Sequence, residues 1–296
     1  MKKLSLIMVC ISIAFFGTAQ NKKSNNKKQT PTPKHTTITA PLKKDIKNQH
    51  VEINTEFGNM IVKLYDETPL HRDNFIKLVN EGFYDSLLFH RVIKSFMIQG
   101  GDPTSKNASP EAMLGAGDNG YKIMPEFRSD IFHKRGALAA ARDNNPQQMS
   151  SGCQFYIVQG RKYTAQELEQ MINNKNLQRK QELLYKVYQS DSVQATVSSL
   201  QNTGDKEVVR AYMDKIHASI DETYKRMYPN ADKVNLDQMQ TYMEYGGAPH
   251  LDGSYTVFGE LVSGFDVLDK IATTTTKPGD RPVNDIRMKM RLVPQP

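Results

Sequence analysis

Tryptophan is absent from the 296-residue chain, and cysteine occurs only twice, at Cys10 and Cys153. Cys10 lies in an apolar start that reads as removable, so a single thiol is left and no internal disulfide can form. Cys153 is therefore read as a small buried strand residue and not as a nucleophile. Long hydrophobic runs are also missing: the longest, Leu4 to Phe16, is too short to cross a bilayer comfortably, which excludes a stable membrane span. No His, Cys or carboxylate cluster has metal-ligand spacing, so no metal and no cofactor is expected. Gly100-Gly101-Asp102 reads as a turn and not as a phosphate loop.

The formal charge of +7 is unevenly spread. Eight lysines against Asp45 between residues 21 and 48, together with Lys2 and Lys3, exceed that total. Residues 49–296 thus carry a small net negative charge, which argues against a nucleic-acid partner because phosphate binding needs a basic folded face. Met1-Lys2-Lys3, the apolar run and Gly17-Thr18-Ala19 have the three parts of a signal peptide over residues 1–19, implying export to a periplasmic or extracellular compartment. Residues 20–49, rich in Lys, Asn, Thr and Pro, bury too little to offset chain entropy and read as a basic disordered linker.

Period-two patterning then begins. Val51 and Ile53, a turn at Glu56-Phe57-Gly58-Asn59, and Ile61 to Tyr65 predict a hairpin. Thr68-Pro69 opens a predicted helix with Leu70, Phe75, Leu78 and Val79 on one face, ending near Gly82. Phe89-His90-Arg91-Val92-Ile93 and Phe96-Met97-Ile98-Gln99 read as paired strands, with Phe96 and Ile98 on one face and Met97 and Gln99 on the other. Residues 104–120 read as a long loop, Gly136 to Ala141 as a small-residue strand, and Gln154 to Val158 as an alternating one. From residue 164 to 245 the period becomes helical, with Ser190 to Gly204 as a connection, and predicts an inserted helical hairpin that packs mainly on itself. Strand patterning returns at Tyr255 to Leu261, followed by a short helix from Phe265 to Ile271 and a closing strand through Ile286 to Leu292.

Three ordered blocks, Phe89 to Asp102, Gln154-Phe155-Tyr156-Ile157, and Leu251-Asp252-Gly253 with Val257-Phe258-Gly259, resemble the signature blocks of cyclophilins. The resemblance runs from about Val51 to Leu292, leaving out the insertion. It implies a mainly β fold, a closed eight-stranded β-barrel capped by two helices, formed by residues 50–163 and 246–296. It also implies peptidyl-prolyl cis-trans isomerase activity on proline-containing polypeptide clients; a monomer is expected. By family pattern Phe96, Met97, Tyr156 and Leu251 line a proline pocket, while Gln99, Ala141, Arg142 and Gln154 hold the peptide on either side. His250 and Tyr255 complete the wall; they stand where many eukaryotic members have Trp and His, and the missing Trp implies weak cyclosporin binding. Ala140, where Met is common, implies a shallower wall.

Rotation about a peptide bond is opposed by a barrier of about 18–20 kcal/mol, because resonance keeps the nitrogen planar. A guanidinium that donates to a pyramidal proline nitrogen stabilises the twisted state more than the planar one. Arg91 is assigned that role, with Gln99 holding Arg91 or the substrate carbonyl. A different reading is a chaperone or proline-peptide-binding module whose insertion grips clients, with turnover secondary. A scaffold role for the basic tail is weaker.

Overall fold

The lysine-rich N-terminal stretch contributes a strand. The computed structural model describes residues 36–38, 48–229 and 235–296, so the signal-peptide reading lies outside the described residues. Within the expected linker, β1 (Thr36–Ile38) runs parallel to Tyr121–Ile123, with Thr37 opposite Lys122. That short stretch obtains its backbone partners from a neighbouring strand edge, which the tail's composition does not reveal.

The predicted hairpin forms from β2 (His50–Thr55) and β3 (Gly58–Leu64), registered Val51 to Val62. Val51, Ile53, Met60, Val62 and Leu64 are buried on one face, while Asn54 and Asn59 face out, as alternation requires. Next come β4 (Phe89–Ile93), β5 (Met97–Gly100), β6 (Tyr121–Ile123), β7 (Ala137–Ala140), β8 (Ser150–Ser151) and β9 (Phe155–Val158). β10 (Val257–Ser263) and β11 (Lys289–Val293) complete the set. Strands β1, β6 and β8 form a small sheet, and the other eight are ordered β11-β2-β3-β10-β7-β9-β5-β4.

This eight-stranded sheet is an open half-barrel, not the closed barrel expected. β4 and β11 form no ladder with each other. The segments that lead into them meet around the Leu88–Arg287 bridge, where Phe89 N–H donates to the Ile286 carbonyl, Met288 N–H to the Leu87 carbonyl and Ser86 N–H to the Met288 carbonyl, each at 2.9 Å. Beyond that bridge the backbone of β4 turns to a loop instead, Val92 N–H donating to the Asp280 carbonyl at 2.8 Å.

Two helices cover the core. α1 (Pro69–Asn80) sets Phe75 against Tyr84, Phe155 and Phe258, with ring centroids 5.2–5.6 Å apart. Its predicted cap, Thr68, makes no side-chain bond to the helix. The Glu126 carboxylate does so instead, accepting from the N–H groups of Leu70 and His71 at 3.0 Å each and approaching His71 Nδ1 at 2.6 Å.

Between β9 and β10 the described residues form four α-helices: α2 (Ala165–Tyr188), α3 (Asp191–Asn202), α4 (Lys206–Met227) and α5 (Leu236–Glu244). The expected hairpin is therefore incomplete. The stretch taken as a connection is itself a helix, because half-buried Val193, Val197 and Leu200 give it one apolar stripe along α4. The insertion also does not pack only on itself: Leu168, Met239 and Tyr242 meet Phe132 and Tyr163. α6 (Phe265–Ala272) then buries Val267, Leu268 and Ile271 in the main core.

Candidate active site

The pairing of β4 with β5 sets Arg91 directly opposite Gln99. Arg91 Nη1 donates to Gln99 Oε1 at 3.3 Å, and Gln99 Nε2 donates to Gln154 Oε1 at 3.0 Å. Gln154 Nε2 in turn donates to the carbonyls of Gly115 and Gly117 at 3.0 and 2.7 Å. This chain of amides fixes which end of Gln99 faces the guanidinium. Arg91 Nε also donates to Asp280 Oδ2 at 3.3 Å, so Nε and Nη1 are engaged and the remaining N–H groups are the ones a ligand can take.

Beside the guanidinium lies an apolar cluster. Met97 and Tyr156 are buried, and Phe96, Ala141, Leu251 and Tyr255 pack against them. Phe96 departs from its predicted face: β5 begins at Met97, and the turn before it, with Ser95 at φ 62°, breaks the period. Phe96 and Met97 therefore share the groove side while Ile98 enters the main core. Ala140 also belongs to that core and is no groove wall.

The groove has a cavity volume of about 400 Å³. Nine of the eleven sequence-predicted site residues line it: Arg91, Phe96, Met97, Gln99, Ala141, Arg142, Tyr156, Leu251 and Tyr255. The other two stand behind this layer. Gln154 bonds Gln99, and the His250 ring lies 5.3 Å from Phe96, where burial lowers its pKa. The Arg142 guanidinium covers the Tyr255 ring at 4.6 Å and donates from Nε to the Ser254 carbonyl at 2.9 Å.

Sequence reasoning missed His90, Leu114, Gly115, Ala116 and Gly279, which also line the groove. Residues 114–116 arrive through Asp102, a buried carboxylate that accepts from Thr104 N at 2.8 Å, from Thr104 Oγ1 at 2.6 Å and from the Gly115 N–H. Burial alone would raise its pKa, but these hydrogen bonds outweigh burial and hold it below the usual carboxylate range. The available signal was Gly115-Ala116-Gly117: Gly115 has φ 102°, and a Cβ on Gly117 would lie 2.1 Å from Asp102 Oδ1.

Two titratable groups nearby are tuned by burial. His90 is pushed down to about 4. The Cys153 thiol is pushed up to about 12, in keeping with an inert buried side chain. Among the described residues no His, Cys, Asp or Glu group is arranged to hold a metal, and no helix is long and apolar enough to cross a membrane.

The groove thus sets an apolar slot beside a guanidinium that Asp280 and Gln99 hold in place. A family model described as cyclophilin type peptidyl-prolyl cis-trans isomerase/CLD matches residues 50–218 and 224–291. The chain belongs to this family of isomerases. A protein of Staphylococcus saprophyticus assigned as a peptidyl-prolyl cis-trans isomerase is 28% identical over 235 residues, covering 79% of this chain and 86% of that one. One of Streptococcus pyogenes assigned as a bifunctional phosphatase/peptidyl-prolyl cis-trans isomerase is 31% identical over 241 residues; the match spans 80% of this chain but only 37% of that protein. The crystal structure of a Cryptosporidium parvum cyclophilin type peptidyl-prolyl cis-trans isomerase shares the fold at TM-score 0.50 and 20% identity, covering 84% of this chain and 99% of that one.

Proposed function

We propose that the protein accelerates X-Pro isomerisation during the folding of exported proteins and works as a monomer. The observation that carries this reading is Arg91, bonded to Gln99 across the β4–β5 pair and set beside the cluster of Phe96, Met97 and Tyr156. In the proposed step the apolar slot holds the proline ring, Gln99, Ala141 and Arg142 steady the chain on either side, and Gln154 holds Gln99 from behind. The preceding residue turns while Arg91 donates to the proline nitrogen, whose lone pair is free of resonance only in the twisted state. Uncatalysed exchange takes about tens to hundreds of seconds, slow enough to limit folding. Export is supported by the basic and apolar start of the chain.

The test is isomerisation of an X-Pro peptide by the whole chain and by Arg91→Ala. Turnover that depends on Arg91 supports the proposal, and equal turnover contradicts it. A second reading, a holdase in which turnover is secondary, is favoured by the exposed Leu177, Tyr185 and Met227 of the insertion. In that case Tyr185→Ser should weaken suppression of client aggregation and leave isomerisation intact.

A further inference from the structure

Tyr156 presents a ring to the groove, yet it also carries a hydroxyl in a place that water does not reach, being only 4% exposed. Such a hydroxyl needs a partner inside the protein. The partner is His133, whose Nε2 lies 2.9 Å away. His133 is itself buried, and its Nδ1 lies 2.8 Å from Asp252 Oδ1, which also accepts the His133 backbone N–H at 2.9 Å. A carboxylate at Nδ1 keeps a proton there, so Nε2 is left as the acceptor and Tyr156 donates.

The other end of this chain lies in the insertion. Tyr242, on α5, donates its hydroxyl to Asp252 Oδ2 at 2.6 Å. Lys175, on α2, donates to the Asp252 carbonyl oxygen. Tyr242 is buried, and the segment that follows it returns directly to the same place: a Cβ on Gly247 would lie 2.5 Å from the Tyr242 ring, and Ala248 N–H donates to the His133 carbonyl at 2.8 Å. Asp252 also follows Leu251, which lines the groove.

We propose that the helical insertion is a working part of the groove, with Tyr242 and Lys175 as positioning residues that act through Asp252 and His133 to seat the ring of Tyr156. This inference rests on the reading of the groove as an X-Pro site. A wall that holds the proline ring does so equally in the planar and twisted states, so loosening it raises KM and leaves kcat alone. The coupling also has a built-in control, because phenylalanine at position 156 has no hydroxyl to seat.

Steady-state kinetics on an X-Pro peptide should be compared for the whole chain, Tyr242→Phe, Tyr156→Phe and the double variant. Tyr242→Phe should raise KM about three- to tenfold, the range of one net hydrogen bond, at constant kcat. In the Tyr156→Phe background it should do nothing. A change below twofold, or the same loss in both backgrounds, overturns the proposal. If Tyr242→Phe does not fold, Lys175→Met is read in the same way. The Tyr156 ring proton and carbon shifts, recorded without substrate, separate this inference from the groove reading. If the unaltered chain has no turnover the groove reading fails, and a shift of Tyr156 on Tyr242→Phe then upholds the coupling while its absence refutes it.

Discussion

Replacing Arg91 by alanine should slow X-Pro isomerisation by about one to two orders of magnitude and leave the fold in place. A hydrogen bond from a charged donor is worth about 1.5–3 kcal/mol net. At about 1.36 kcal/mol per tenfold in rate, that is roughly ten- to hundredfold if the bond forms only in the twisted state. The structural loss is smaller. The side chains of Arg91 and Asp280 are 42% and 43% exposed, and a pair so accessible to solvent contributes about 0–1 kcal/mol. The contact with Gln99, at 3.3 Å, is long for an N–H···O bond. Arg91→Lys keeps the charge but not the planar fork that spans Asp280 and Gln99, so it should fall between the two. The assay is exchange between cis and trans forms of an X-Pro peptide, run beside a thermal melt of each variant. Arg91→Ala within threefold of the unaltered protein, at an unchanged melting temperature, would refute the role assigned to the guanidinium.

Other consequences can be measured separately. Glu126→Ala removes the acceptor at the start of α1, which should cost about 1–3 kcal/mol from the lost cap and the helix dipole; calorimetry should show a lower melting temperature, and no change would contradict the capping role. Arg142 lines the groove and forms no ion pair among the described residues, so a peptide with Glu next to the X-Pro bond should be turned over up to about fivefold more efficiently than its Lys counterpart. Arg142→Gln should abolish that preference, and a preference that persists would assign it elsewhere. His90, buried beside Asp102, Arg91 and Arg281, has its pKa pushed from 6.5 down to about 4. Between those values the unfolded chain binds the extra proton, so stability is full above pH 6.5 and falls as the pH drops toward 4, by about 3 kcal/mol at most. Urea midpoints of the unaltered chain and His90→Gln at pH 7 and 4.5 should show a shallower acid loss in the variant, and equal losses would refute this account.

Local features of the fold were legible because they rest on period. The β2–β3 hairpin follows from alternation, and the pairing of Arg91 with Gln99 follows from two strands joined by a short turn. Features that depend on remote partners were not legible. Glu126 caps a helix that starts 57 residues earlier at Pro69, and nothing near Thr68 announces it. Leu114 to Ala116 reach the groove because Asp102 draws in the Gly115 backbone, an effect invisible in a loop read by composition. Phe96 changed face because a turn residue broke the strand period, and α3 was missed because its stripe of Val193, Val197 and Leu200 is sparse among Ser, Thr and Gln. The sheet stays open because a loop near Asp280 takes the backbone bond of Val92, which strand patterning alone cannot foresee.

The most direct test of the account is exchange spectroscopy on a short X-Pro peptide with a substoichiometric amount of the whole protein. The account predicts cis-trans cross-peaks that are absent from the peptide alone, together with shifts of groove residues such as Met97 and Tyr156. Cross-peaks no stronger than in the free peptide, with those residues unmoved, would contradict it.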